Sequence, residues 1–174
     1  MGKKRKSRKH PELPFFGFDI YSVLARAKNR LPLVANRPVA LWIMNQATLA
    51  SIEPSDKPCI FLHSILNHYQ TPEMVMEFIL THELLHLLVA PKEVNGVMKQ
   101  HPPEFWDAER RAFPELELAW NWLISALYPC LKPDRKKEAT FVKASWKRLM
   151  RVERPSIEQV SGLLKPKRAG VPLI

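Results

Sequence analysis

Two histidines and a glutamate stand at helical spacing in the segment THELLHLLVAP, which contains His82, Glu83 and His86. A helix brings residues i and i+4 onto one face, so the imidazoles of His82 and His86 can share one metal ion. Glu83 lies about 100° further round the helix, where its carboxylate can reach a water on the open side of the ion. This HExxH pattern therefore predicts two zinc ligands and a general base.

A catalytic zinc site needs a third protein ligand and leaves its fourth position to water. His101 is the strongest candidate, because it follows a loop long enough to fold back over the HExxH helix and precedes the next predicted helix. Glu104 is the second choice and Glu93 the third, since a glutamate completes some zinc protease sites. The sequence therefore predicts a Zn²⁺ site that is completed by His101.

The alternative is a leucine-rich core helix that happens to contain two histidines, because HExxH is a short pattern that also occurs by chance. The context favours the metal site. The motif lies in a segment predicted to be a buried helix, where a charged glutamate is unfavourable unless it has a role and histidines need partners.

The elements that would position these residues are indicated by turn and cap signals. The segment QTPEMVMEFILTHELLHLLVAP is predicted to form one helix, with Thr71 as its N-cap and Pro91 at its end. Before it, VALWIM and CIFLH are short apolar runs typical of strands. Residues 47–52 could pair back as one arm of a hairpin and offer an edge that aligns a peptide substrate.

Further helices are predicted in DIYSVLARAKNR, with Asp19 as N-cap, and in PPEFWDAERRAF, PELELAWNWLISALY, EATFVKASWKRLMRVE and PSIEQVSGLL. The segment KEVNGVMKQ is predicted to be a loop with Asn95 and Gly96 at its tip, and residues 91–100 could act as a lid. Together these patterns predict an α+β fold, with a short antiparallel sheet, an HExxH helix and additional C-terminal helices.

The net charge of +10 is unevenly distributed along the chain. Residues 1–10 carry +6 and residues 132–168 carry +8, whereas residues 11–131 carry −4. Such basic ends suit a polyanionic partner, above all nucleic acid. The alternative is that the ends are solvated segments that only aid solubility.

We expect three parts in the chain. They are a basic disordered arm at 1–14, one domain at 15–131, and a basic helical extension and tail at 132–174. Only Cys59 and Cys130 occur, which argues against a disulfide framework and fits a reducing compartment. No signal peptide and no membrane-spanning run are recognisable, so an intracellular protein is expected, cytoplasmic or associated with the nucleus or nucleoid.

Three other aromatic residues carry weaker signals. His63 and His68 precede the HExxH helix and could line its cleft or stabilise an oxyanion, although polar boundary positions explain them more simply. Trp146 stands among basic residues and could stack on a nucleobase, although a core or half-buried position is the simpler interpretation.

The segment HELLHLLV followed by HPPEFW resembles the SprT-like (Spartan-type) zinc metalloproteases over roughly residues 15–115. The resemblance implies a small zincin-like domain. It implies that His82, His86 and His101 bind zinc and that Glu83 is the catalytic base. It also implies proteolysis of DNA-associated or DNA-crosslinked proteins, with DNA as an activator.

Two features depart from the family pattern. Pro102 stands where the family usually has glycine after the third histidine, and two cysteines cannot build the zinc ribbon found in many relatives. Any DNA binding must then come from the basic segments.

The expected activity is zinc-dependent endopeptidase hydrolysis. Zinc lowers the pKa of a bound water to about 7, and Glu83 would take its proton and pass it to the leaving amine. Two alternatives stay open, a metal-dependent nucleotide or phosphoester hydrolase and a non-enzymatic basic DNA-binding protein. Neither the substrate nor the oligomeric state follows from the sequence.

Overall fold

A computed structural model of the chain describes residues 13–134, 139–150 and 153–163. The predicted arm at 1–14 and the tail after residue 163 therefore lie outside the described residues almost entirely. The described part is a mixed structure with six helices and short sheets, which confirms the α+β class. In this part, no helix is long and apolar enough to cross a bilayer.

The helices alternate with short strands along the chain. The helices are α1 Ile20–Asn29, α2 Glu73–Leu85, α3 Pro103–Ala112, α4 Leu116–Leu127, α5 Trp146–Leu149 and α6 Ile157–Leu163. The strands are β1 Ala40–Met44, β2 Ala50–Glu53, β3 Cys59–His63, β4 Lys92–Val94, β5 Val97–Lys99, β6 Leu131–Asp134 and β7 Ala139–Val142. The predicted cap of α1 is confirmed, because the Asp19 carboxylate accepts a hydrogen bond from the Tyr21 amide at 3.0 Å.

The main sheet has three strands in the order β1-β3-β2. β2 runs antiparallel to β3, with Ile52 opposite Ile60, whereas β1 runs parallel to β3, with Ile43 opposite Leu62. The prediction of an antiparallel sheet is therefore wrong for one of its two pairings. The reason is topological. β2 does not pair with β1, because β3 lies between the two strands, and β3 runs in the same direction as β1.

The segment predicted as an edge strand does form one, as β2. The residues just before β2 are not available for pairing with a substrate, however, because they pair with β7. The Leu49 amide donates to the Thr140 carbonyl at 3.2 Å, and the Val142 amide donates to the Ala47 carbonyl at 2.8 Å. The hairpin of β6 and β7 therefore covers one end of this edge.

The same pairing corrects the prediction that EATFVKASWKRLMRVE is helical throughout. Among its described residues, Ala139–Val142 form the strand β7 and the four residues of α5 form the helical part. The helical spacing of its apolar residues was outweighed by backbone pairing with a distant segment, which sequence periodicity does not report.

The start of α2 also differs from the prediction. Pro72 occupies the N-cap position, and the Thr71 hydroxyl donates instead to the Leu66 carbonyl at 2.7 Å. Thr71 therefore stabilises the loop before α2 and does not cap the helix.

The segment predicted as a loop between the second and third histidines is a β-hairpin of β4 and β5. Asn95 and Gly96 have φ angles of 53° and 76°, the positive pair that a two-residue type I′ turn requires. The loop that returns the chain to His101 is therefore a regular element.

Helices pack on both sides of the HExxH helix. α1 lies along α2, and Glu77 of α2 pairs with Arg26 at 3.0 Å and with Arg30 at 2.5 Å. The C-terminal part of the chain is joined to α4, because the Trp122 indole donates to the Pro155 carbonyl at 2.7 Å. The segment after residue 131 thus packs on the core that surrounds α2.

Candidate metal centre

α2 carries the HExxH residues through the interior of the molecule. Most of its residues are buried, because apolar side chains occur around its whole circumference. The helix ends at Leu85, and His86 is its C-cap residue with φ −62° and ψ −17°. These angles are still helical, so His82 and His86 keep the i, i+4 relation on which a shared metal ion depends.

The structure brings the three predicted ligands together. His101 Nε2 lies 3.2 Å from His82 Nε2 and 3.2 Å from His86 Nε2. Zn–N bonds of about 2.0–2.1 Å in a tetrahedral site place neighbouring nitrogens roughly 3.3–3.4 Å apart. Two of the three nitrogen pairs come close to this spacing, and all three nitrogens lie within 4.8 Å of one another. The group therefore fits a zinc ion that keeps its fourth position open.

No other group of this kind occurs among the described residues. The three histidines alone combine at least three metal-binding side chains with ligand atoms within 4.8 Å of one another. Glu104 is exposed and its carboxylate pairs with Lys92 Nζ at 2.5 Å, and Glu93 is exposed on β4. The structure thus places His101, and neither glutamate, beside the other two histidines.

The start of α3 holds the third ligand in place. Pro102 and Pro103 follow His101 directly, and Pro102 is extended, with φ −65° and ψ 167°, so it adopts a backbone conformation that proline prefers. Phe105 is fully buried, and its ring centroid lies 4.7 Å from those of His86 and His101 and 5.0 Å from that of His82. The phenyl ring therefore packs against all three imidazoles.

Glu109 is a site residue that sequence reasoning missed. Its Oε1 lies 2.6 Å from His82 Nδ1, and the residue is only 1% exposed. A carboxylate accepts hydrogen bonds, so Nδ1 carries the hydrogen and Nε2 keeps its lone pair for a metal. A signal was present, because Glu109 follows Phe105 by four residues and lies on the same face of α3.

The surroundings act differently on two of the ligands. Burial alone would lower the pKa of His82, but the Glu109 hydrogen bond and the charges of Glu83 and Glu109 raise it above its usual value. Burial lowers the pKa of His86 to about 3, and the charges of His82 and His101 act in the same direction. His86 is therefore a neutral imidazole at pH 7, the form that binds metal.

Glu83 lies in the helix between the two ligands and is 6% exposed. Its carboxylate has no hydrogen-bond or ion-pair partner in the described part of the chain. Burial raises the pKa of Glu83 to about 7, and the charge of His82 acts against this rise. A bound dication would lower the pKa again. A carboxylate beside such an ion can accept a proton from a water molecule and release it again.

The other two histidines of the described ranges, His63 and His68, make their described contacts elsewhere. His63 Nδ1 accepts the Ile65 amide hydrogen at 2.9 Å, and its ring makes a T-shaped contact with Trp146, with the centroids 5.2 Å apart. His68 Nδ1 accepts the Gln70 amide hydrogen at 3.1 Å. The expectation that one of them lines the metal centre gains no support from these contacts.

No model of a protein family matches the chain, and no curated protein sequence matches it at a significant level. The role of the centre is therefore inferred from its own chemistry: three convergent imidazoles, a carboxylate that orients one of them, and a buried glutamate beside them.

Proposed function

We propose that the chain is a zinc-dependent metalloprotease with a zincin-like domain of the SprT-like (Spartan-type) kind. His82, His86 and His101 hold Zn²⁺, and Glu83 is the general base. The observation that carries the proposal is the pair of 3.2 Å separations between His101 Nε2 and the other two Nε2 atoms. Imidazole ligands at this spacing suit zinc in a tetrahedral site with an open position.

The side chains around the ion divide the work of hydrolysis. Zinc, when bound, polarises the scissile carbonyl and acidifies a water molecule. Glu83 takes the proton of the attacking water and delivers it to the nitrogen of the leaving amine. Glu109 keeps His82 in the tautomer that presents Nε2, and Phe105 excludes solvent from one side of the imidazoles.

An extended peptide would be aligned by β2. This strand lies at the edge of the three-stranded sheet and packs against α2, so a segment paired with its outer edge would pass the HExxH residues. The β4–β5 hairpin, which precedes His101, exposes Val97 and Met98 by 54% and 61%. These apolar side chains would contact the substrate, with the hairpin as a lid.

Nucleic acid is the proposed second partner, and proteins associated with or crosslinked to DNA are the proposed substrates. The support is the excess of positive charge at both ends of the chain, +6 in residues 1–10 and +8 in residues 132–168. An intracellular location, in the cytoplasm, nucleus or nucleoid, follows from such substrates. Stimulation of proteolysis by added single-stranded DNA at low salt, and its loss at higher salt, would test this part of the proposal.

Metal content and hydrolysis test the central proposal together. After incubation with zinc, the wild type should contain one zinc per chain and His101→Ala much less. Glu83→Gln should keep the metal and lose cleavage of casein. Glu104→Gln is the matched control, since Glu104 is exposed and bonded to Lys92, and it should keep both properties.

The same variants separate proteolysis from the phosphoester alternative. Nucleoside triphosphates offered in parallel should not be hydrolysed above the level of Glu83→Gln. Turnover of a triphosphate that depends on Glu83, without turnover of casein, would replace the protease by a phosphohydrolase. Absence of zinc from a folded wild type would contradict both.

A further inference from the structure

A cavity of about 760 Å³ has none of the three histidines in its lining. Asn45 and Gln46 line it from the end of β1, His63 from the end of β3, and residues 142–148 close the other side. This volume is in the range of small-ligand sites, roughly 300–1,000 Å³. None of the lining residues has a role in the proposed hydrolysis, so the cavity calls for its own explanation.

His63 places a hydrogen-bond donor in this cavity. The residue is 2% exposed, and burial lowers its pKa to about 4, so the imidazole is neutral at pH 7. Its Nδ1 accepts the Ile65 amide hydrogen, so the ring hydrogen is on Nε2. No described residue accepts a hydrogen bond from that nitrogen. His63 thus lines the cavity and carries a ring N–H that has no acceptor among the described residues.

Asn45 adds an acceptor. Its Oδ1 is buried and has no hydrogen-bond partner in the described part of the chain. The neighbouring Gln46 differs, because its Nε2 donates to the Phe61 carbonyl at 2.9 Å and its Oε1 accepts from the Ser51 hydroxyl at 3.1 Å. Buried polar atoms normally have partners, so the open acceptor of Asn45 indicates a polar ligand. The ring N–H of His63, in the lining of the same cavity, is available as a donor to that ligand.

The remaining wall is aromatic and positively charged. Trp146 is half-buried, and its ring contacts that of His63 at an interplanar angle of 79°. Lys147 and Arg148 are exposed, and no described carboxylate pairs with either of them. Lys147 Nζ lies 5.5 Å from the Trp146 ring centroid, so a positive charge is held next to the aromatic surface. This combination favours a ligand that joins a planar ring to an anion.

We propose that this cavity binds one nucleotide unit, with the base against Trp146, the base edge bonded to Asn45 and His63, and the phosphate against Lys147 and Arg148. Charge alone would attract phosphates to any basic surface. The indole ring and the buried donor and acceptor are the features that recognise a base, as they do in sites for single-stranded nucleic acid. The site does not depend on zinc, because none of its residues belongs to the metal centre.

Binding of a fluorescein-labelled oligodeoxythymidylate of about ten nucleotides to the full chain tests the proposal. Fluorescence anisotropy at fixed salt should show that Trp146→Leu weakens binding about 5- to 100-fold, the range of one base–aromatic stack. Trp42→Leu is the matched control, because Trp42 is 44% exposed on β1 and does not line the cavity. It should bind like the wild type.

A second pair of variants keeps the test valid if Trp146→Leu does not fold. Lys147 and Arg148 are both changed to alanine and compared with the double change of Lys28 and Lys57 to alanine. Each pair removes two positive charges, so the general attraction to a polyanion falls equally. The cavity pair should weaken binding at least about 5-fold more than the control pair, since it also removes local phosphate contacts.

Competition identifies the source of the nucleotide. Thymidine 5′-monophosphate, thymidine and inorganic phosphate are added unlabelled to the bound oligonucleotide. Full competition by the monophosphate, but not by thymidine or phosphate, assigns the cavity to a free nucleotide. Competition only by unlabelled oligonucleotide assigns it to a strand. Equal weakening by cavity and control variants, or no binding of either nucleotide probe, would overturn the proposal.

Discussion

Glu109 Oε1 and His82 Nδ1 lie 2.6 Å apart, and this contact decides which nitrogen of His82 faces the other two histidines. The two residues come from different helices, α3 and α2, and are 27 positions apart in the chain. Because Glu109 is 1% exposed, water cannot easily replace it as the acceptor. The packing of α3 on α2 is therefore part of the chemistry of the site and not only of its stability.

Glu109→Ala should lower the affinity for zinc about 10- to 100-fold, the usual effect of removing an outer partner of a ligating histidine. Glu109→Gln should have a smaller effect, because its amide oxygen still accepts the Nδ1 hydrogen without the charge. Competition with a chromogenic chelator measures both. Glu104→Gln on the same helix should leave the affinity unchanged, and equal affinities for all four proteins would show that Glu109 does not orient His82.

Metal-free Glu83→Gln should be more stable than metal-free wild type at pH 8. The folded-state pKa of Glu83 is raised to about 7, whereas its ordinary value is 4.5, so the folded protein holds the proton more tightly. The stability that this proton provides is complete below pH 4.5 and is lost as the pH rises through 7. The variant avoids this loss, which is on the order of 1–3 kcal/mol. Urea unfolding at pH 5 and pH 8 measures it; a stability difference that does not grow with pH would contradict the expected burial of the carboxylate.

Phe105→Ala should lower the free energy of unfolding by about 3–5 kcal/mol, since it leaves a void beside three imidazoles. It should also lower the affinity for zinc, because the three rings lose the side chain against which they pack. Chemical unfolding without metal measures the first effect and chelator competition the second. Trp106→Ala is the comparison, because Trp106 is 37% exposed and should cost less stability. If the phenyl ring served only the core, zinc affinity would be unchanged in the folded fraction.

Arg154→Met should lower the free energy of unfolding by about 1–3 kcal/mol. Arg154 is 6% exposed and donates to the Ile65 carbonyl at 2.6 Å and to the Thr71 hydroxyl at 2.9 Å. Methionine keeps the apolar stem but leaves the buried carbonyl without this donor. Thermal unfolding compares it with Arg148→Met at an exposed position; equal midpoints would mean that the loop before α2 does not need Arg154.

The residues of the candidate metal centre were predictable where their relation is local. The i, i+4 spacing places His82 and His86 on one face of any helix, and Asn95 followed by Gly96 already carried the signal of a tight hairpin turn. His101 followed from the need for a third ligand. Glu109 was not found, because its contact with His82 depends on how α3 packs on α2, and a glutamate in a charged helical segment is usually at the surface.

The strand order of the sheet could not be predicted from the sequence for a similar reason. Strand positions were indicated by β-branched and aromatic runs, but strand order depends on which side of β3 the strand β2 joins. That choice depends on packing between distant segments and leaves no periodic pattern. The strand β7 was mistaken for a helix for the same reason, since its partner lies around Thr48, far away in the chain.

Because β7 pairs with the residues just before β2, it limits the length of substrate that can pair with the free edge of β2. The Leu49 amide is already bonded to Thr140, so a peptide can pair only along the four residues of β2, a length of about 13 Å. Beyond Leu49, where β7 occupies the edge, the peptide must leave the plane of the sheet. On the proposed mode of cleavage, rigid strands of a folded target are therefore poor substrates, and flexible segments that can bend within a few residues are the ones that reach Glu83.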